Sequence, residues 1–190
     1  MNPGELIDQL KPLLNQRQVI VFGEINAQKE ELWSSLILFL DAMDNKEPIT
    51  IFINSGGGRT DPTFWFSDVI KNCKAPVHGL VTGAAYSGAF KILQSCKRRL
   101  AYPNASLLFH RFRMREYIVD DEKWDEKFRL LRLKYEEELK NIAEKTNRSV
   151  EEIRKWAKEE RVFTAQEAKG LNLIDEIISS PYTPTKGGGQ

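Results

Sequence analysis

Short apolar runs punctuate the first half of the chain: Val19-Ile20-Val21-Phe22, Ile49-Thr50-Ile51-Phe52-Ile53 and Val77-His78-Gly79-Leu80-Val81. Runs of this length without polar alternation read as strands buried on both faces, as in a parallel sheet. Between them the period lengthens. Leu6, Leu10, Leu13 and Leu14 predict a short helix over 5–15. Leu32, Leu36, Leu38, Phe39, Leu40 and Met43 predict another over about 28–44, with Asn26 as its cap. Helices at about 62–73 and 87–96 follow the second and third runs. This alternation predicts an α/β fold with a largely parallel sheet covered by helices.

The second half has a different rhythm. Arg98 to Tyr102 and Ser106 to His110 read as short strands around a turn at Pro103-Asn104, and Tyr117-Ile118-Val119 could form another. Trp124, Phe128, Leu131, Tyr135, Leu139 and Ile142 recur every three or four positions, predicting one long amphipathic helix over about 122–144. At that length it can be an ordinary surface helix or can project and pack on a neighbouring subunit. Ser149 with Glu152, and Thr164 with Glu167, have capping-box spacing. The helix begun at Ser149 is expected to end near Glu160, and the next to close at Gly170. Leu173 to Ile178 reads as a last strand or turn. We find no internal repeat or linker, so 1–180 is taken as one domain. The Pro-, Thr- and Gly-rich stretch 181–190 is taken as a disordered tail.

Composition narrows the function classes. A net charge of +1 gives no electrostatic case for a nucleic-acid partner. The two cysteines, Cys73 and Cys96, lack metal or redox spacing, so a reduced, cytoplasmic protein is the simplest expectation. The N-terminus has no basic region leading into an apolar stretch, and no run is long enough to span a membrane. No metal or cofactor is expected.

The stretch that carries chemistry is Gly83-Ala84-Ala85-Tyr86-Ser87-Gly88. It lies between a strand-like and a helix-like run, where a serine among small residues can be presented on a tight turn. On this stretch alone, a plain tight turn needing small residues is the favoured reading. A nucleophilic serine needs a base, and the chain has two histidines. His78 sits inside a strand and reads as a packed residue. His110 ends an apolar run, where side chains reach sites at a sheet edge, and is the better base candidate. An oxyanion hole needs backbone N–H groups. Gly58, closing Gly56-Gly57-Gly58, and Gly88, after the serine, can supply them, although a triple glycine is also simply a permissive turn. With 27 acidic residues, composition cannot choose an orienting carboxylate.

These segments together resemble a known family. Phe52-Ile53-Asn54-Ser55-Gly56-Gly57-Gly58 is similar to the Ile-Asn-Ser-Pro-Gly-Gly segment of the Clp protease proteolytic subunit. Gly83-Ala84-Ala85-Tyr86-Ser87 resembles its nucleophile motif. Pro103-Asn104-Ala105-Ser106-Leu107-Leu108-Phe109-His110 resembles the segment leading to its catalytic histidine. Thr164-Ala165-Gln166-Glu167-Ala168 with Leu173-Ile174-Asp175 resembles its closing segment. Each motif is weak alone, but their shared order from about Arg17 to Ile178 is more specific. The resemblance implies a crotonase-like ClpP fold of repeated β-β-α units with a protruding handle helix. It implies a serine endopeptidase acting on peptides or unfolded proteins inside a ring of identical subunits, a heptamer or stacked rings. Ser87 would be nucleophile, His110 base, Gly58 and Gly88 oxyanion donors, and Glu160 the acidic member, with Glu159 as fallback.

The sequence departs from that pattern in several places. Glu160 stands where the family usually has Asp, and Gly56 where it has Pro. Arg111 to Tyr117 lacks the family's Gln-Pro and glycines, which bears on ring stacking. About sixteen residues precede Arg17, so the loop that meets an AAA+ unfoldase is expected to be shortened or absent. These departures keep a catalytically weak ring subunit open as the alternative. A crotonase-type acyl-CoA enzyme would leave the Ser87 and His110 pairing unexplained.

Overall fold

The computed structural model of the chain describes residues 11–111, 121–180 and 182. A seven-stranded sheet forms its centre. Strands β1 (Gln18–Ile25), β2 (Ile49–Gly58), β3 (Val77–Tyr86) and β4 (Arg98–Ala101) run side by side and parallel, with β7 (Glu176–Ile177) at the far edge. β5 (Ser106–Leu108) pairs parallel with the end of β3, and β6 (Val162–Thr164) closes on β5 antiparallel. The helices are α1 (Ala27–Met43), α2 (Thr60–Asn72), α3 (Gly88–Ser95), α4 (Asp121–Thr146), α5 (Val150–Glu159) and α6 (Ala165–Gly170), after a helical turn at 11–15.

The expected alternation holds, and the apolar runs of β2 and β3 are covered on both faces as expected, but β1 is an edge strand and leaves Ile20 and Phe22 exposed. Val19, Val21, Ile49, Ile51, Ile53, Val77 and Val81 are buried. The strands nevertheless run further than the apolar residues predicted. β2 continues through its glycines to Gly58, and β3 through its small residues to Tyr86. Register shifts between Phe22 and Glu24 and between Ile53 and Ser55 let this happen. After the first, Glu24 and Ile25 pair with Gly57 and Gly58. At the second, side chains replace ladder bonds: Asn54 Oδ1 accepts from the Ala84 N–H at 3.0 Å. The Ser55 hydroxyl donates to the Gly23 carbonyl and accepts from the Gly57 N–H at 3.1 Å. The Asn-Ser-Gly segment is thus built into the sheet.

Helix ends follow the capping residues. Asn26 accepts from Lys29 N at 3.0 Å, and Thr164 with Glu167 makes a reciprocal box. The Ser149 box is half made. Ser149 accepts from Glu152 N at 3.2 Å, but the Glu152 carboxylate lies 3.6 Å from Arg148. The predicted strand or turn at 173–178 contracts to the two residues of β7. The expected strand at Tyr117-Ile118-Val119, the helix residues before 11, and the tail apart from Tyr182 lie outside the described residues.

No basic residue occupies the last turn of α1, and a remote one takes that place. Arg17, itself at φ 55°, donates to the carbonyls of Leu40 (2.9 Å), Asp44 (2.7 Å), Glu47 (3.1 Å) and Pro48 (3.3 Å). These include oxygens that a helix C-terminus leaves orphaned, at its negative end. Arg17→Met should keep the aliphatic packing and lose those bonds. The expected cost is about 1–3 kcal/mol, read as a fall in thermal midpoint of roughly 2–4 °C per kcal/mol.

Both cysteine thiols are free, and burial pushes Cys73 up to about 11 and Cys96 up to about 12. That removes thiolate chemistry near neutral pH. Among the described residues no cluster of metal-ligating side chains occurs, and no helix is long and apolar enough to cross a membrane.

Candidate active site

Ser87 sits between β3 and α3 with φ 55° and ψ −119°, a backbone conformation unusual for a residue with a side chain. Its N–H is fixed to the Leu108 carbonyl at 2.9 Å, and its carbonyl accepts from Lys91 N at 3.2 Å. The side chain does not cap the helix, and among the described residues its hydroxyl makes no hydrogen bond. A strained turn held at both ends, with an uncommitted hydroxyl above a helix N-terminus, is how a nucleophilic serine is presented.

The β3–β5 register pairs Tyr86 with Leu108, which brings the residues just past both strands to one edge. Phe109 is buried and packs against Phe90 and Tyr135, with ring centroids 5.5 and 6.4 Å apart. His110, next in the chain, lines the cleft that also contains Ser87, Gly88 and Gly58. His110 Nδ1 is 2.6 Å from the Arg111 main-chain oxygen. A carbonyl can only accept, so Nδ1 carries the proton and Nε2 is left as the basic nitrogen.

The glycine segment reaches the serine by close backbone approach. Gly57 has φ +93°, and a Cβ there would lie 2.7 Å from Ser87 Cβ and 2.9 Å from Gly88 N. Gly58 faces the cleft at the end of β2, and Gly88 is the first residue of α3, where N–H groups lack intrahelical acceptors.

Glu160 does not line this cleft. It is the exposed cap of α5, in the left-handed conformation at φ 51°. The β5–β6 ladder brings the chain segments that carry His110 and Glu160 to the same edge of the sheet. Leu108 pairs with Val162 and Leu107 with Phe163, and the ladder ends there, two residues short of both His110 and the left-handed Glu160. In the geometry seen here the Nδ1 proton of His110 goes to the Arg111 carbonyl. Glu159, the fallback, is the exposed last residue of α5, 4.0 Å from Lys155.

His78 is elsewhere, as its strand position suggested. It is buried with Nδ1 2.7 Å from the Tyr182 hydroxyl, and burial, aided by Arg98, pulls its pKa down to about 4. Sequence reasoning missed other residues of the cleft, including Thr63, Phe64, Lys91 and Glu138. Lys91 gave a faint signal as a lysine inside Ala89-Phe90-Lys91-Ile92-Leu93. Glu138 gave none, being one acid in Glu136-Glu137-Glu138.

A mostly parallel α/β sheet that presents a strained serine beside a histidine and a glycine-lined strand end defines a class of hydrolase-like architecture. The family comparison is more specific. The family model described as Clp protease matches residues 2–181, and the chain belongs to the Clp protease family. Its fold is the ClpP fold. One similar solved structure is a single-substitution mutant of ClpP1 from Listeria monocytogenes, with a TM-score of 0.78 and 29% identity. The match covers 90% of this chain and 96% of that one.

Proposed function

We propose that this chain is a serine endopeptidase of the Clp type, cleaving peptides or unfolded chains. Ser87 Oγ attacks the peptide carbonyl while His110 Nε2 takes its proton, and His110 then returns that proton to the leaving amine. The N–H groups of Gly58 and Gly88 hold the oxyanion. The observation that carries this reading is that one cleft is lined by both Ser87, whose hydroxyl is uncommitted, and His110, whose Nδ1 bond to Arg111 leaves Nε2 as the acceptor nitrogen. Membership of the family is consistent with a homo-oligomeric ring that restricts access to the site, and we place that ring in the cytoplasm as part of the same proposal.

The test is labelling of the purified protein by a fluorophosphonate, with the modified peptide mapped by mass spectrometry. Modification at Ser87 is expected. A label at another serine, or none while peptide is being hydrolysed, would remove Ser87 from the mechanism.

Glu160 is proposed as the residue that orients His110 and stabilises its cation in the transition state. What supports this reading is that Glu160 just precedes β6, which pairs with β5 just before His110; its extra methylene relative to Asp must be taken up by a bent rotamer. Because the Arg111 carbonyl already holds the tautomer, Glu160→Gln should lower kcat by only about 10- to 100-fold, less than loss of the nucleophile. Steady-state kinetics on one peptide would check this. A loss as large as that of Ser87→Ala would mean the carbonyl contributes nothing.

A further inference from the structure

A single bulky residue stands among the small ones of Gly83-Ala84-Ala85-Tyr86-Ser87-Gly88, and it directly precedes Ser87. Tyr86 is the last residue of β3 and is half-buried. Its hydroxyl lies 2.7 Å from Oγ of Ser106, the half-buried first residue of β5. The bond does not run straight across the ladder. In the β3–β5 register Tyr86 pairs with Leu108, and Ser106 pairs with Ala84. Paired residues share a face of the sheet, and so do residues two apart along a strand. The tyrosine therefore reaches back along that face over about 7 Å of strand to grip β5 at its start.

β5 is the strand that delivers His110 to the cleft, and it is only three residues long, between β3 and β6. Burial of Leu107 and Phe109 fixes which face of β5 turns inward. It leaves small displacements along the strand axis open. Ser87 follows β3 directly and His110 stands just past β5, so a slide of β5 along β3 changes their separation. A diagonal tie opposes such a slide, because the slide alters the span the tyrosine must bridge. The Ser87 N–H bond to the Leu108 carbonyl, at 2.9 Å, holds the far end of β5, and the Tyr86 bond holds the near end. Resting on the serine-peptidase reading above, we propose that Tyr86 is a positioning residue whose hydroxyl, bonded to Ser106, ties β5 to β3 and keeps His110 within proton-transfer reach of Ser87. Neither Tyr86 nor Ser106 lines the cleft, so the pair acts through the strand and not on substrate. A misplacement of about 1 Å in a reacting pair can cost up to about 10²-fold in rate, which sets the scale of what one such bond controls.

The experiment compares the parent with Tyr86→Phe, Ser106→Ala, the double variant and Ser106→Thr. It reads kcat and KM on one peptide, the rate of fluorophosphonate labelling at Ser87, and the thermal midpoint. Tyr86→Phe keeps the ring and removes only the bond. Each of Tyr86→Phe and Ser106→Ala should lower kcat by about tenfold and slow labelling by a similar factor, with KM within about twofold and the midpoint within about 3 °C. The double variant should be no slower than the slower single, because both substitutions remove one bond. Ser106→Thr keeps a hydroxyl at that place and should hold kcat within about twofold of the parent. Parental kcat and labelling in Tyr86→Phe and Ser106→Ala overturn the proposal, and so does a double variant whose losses multiply. If one of the two fails to fold, the other carries the same prediction. Labelling at Ser87 in a parent that cuts peptide, with both variants unaffected, removes the positioning role alone. A parent that neither labels at Ser87 nor cuts peptide removes the peptidase reading and the positioning role with it.

Discussion

Ser87→Ala should remove peptide hydrolysis, lowering kcat by at least about 10³-fold, and should abolish fluorophosphonate labelling. The same substitution should leave the fold nearly untouched. The hydroxyl does not cap α3 and makes no hydrogen bond among the described residues, so its removal orphans no partner. The strain of φ 55° is a backbone property that alanine inherits, and the bonds holding the turn are main-chain bonds to Leu108 and Lys91. The expected thermal midpoint is therefore within about 2 °C of the parent. That separation of activity from stability is the informative part. A variant that still hydrolyses peptide would favour a different nucleophile. A variant that unfolds would show that the hydroxyl is structural, as a small residue chosen only for packing would be.

The same outcome bears on the alternative of a catalytically weak ring subunit. Such a subunit would keep the serine turn and lose the alignment of the histidine. Phe109 packs against Phe90 and Tyr135, and the Arg111 carbonyl takes the Nδ1 proton of His110, so the peptidase kinetics of the parent and of Ser87→Ala decide between the two readings.

Much of this architecture was legible because burial leaves a mark on residue type. The strands at Ile49 and Val77 are covered on both faces and read as unbroken apolar runs, whereas the run at Val19 belongs to an edge strand that buries Val19 and Val21 and exposes Ile20 and Phe22. Their true ends were not legible. Asn54, Ser55 and the glycines extend β2 through side-chain bonds and close backbone contacts, which carry no hydrophobic period. Ser87 and His110 could be nominated from position, since strand ends feed sites at a sheet edge. Glu160 could not be chosen from 27 acids without the family resemblance, and the approach of its segment to that of His110 depends on the antiparallel closure of β6 on β5. Lys91 and Glu138 were out of reach. They are 47 positions apart and meet only because α4 folds back over the cleft.

Gly58→Ala should be the most damaging of the glycine substitutions, and its neighbours provide the comparison. A Cβ at Gly58 would stand 2.1 Å from the Ile25 carbonyl oxygen, 2.5 Å from Ile25 N and 2.8 Å from Ile25 C. These are main-chain atoms of the paired strand, so no rotamer change can make room. β1 would have to separate from β2 where Ile25 pairs with Gly58 and where Arg59 N bonds to Ile25 O at 2.9 Å. The expected loss is about 3 kcal/mol or more in chemical denaturation, with activity lost alongside because the same residue is the proposed oxyanion donor. Gly57→Ala would meet the strain of φ +93° together with contact against Ser87 Cβ. At Gly56 an added Cβ meets nothing within 4 Å, and no left-handed backbone angle is required. Gly56→Ala should therefore be neutral or stabilising by up to about 1 kcal/mol, through a less flexible unfolded chain. A triple glycine that was only a permissive turn would tolerate all three substitutions alike. Measuring the unfolding free energy of the three variants decides between these cases, and equal stability for Gly56→Ala and Gly58→Ala would refute the close approach of β1 and β2 on which the proposed oxyanion hole depends.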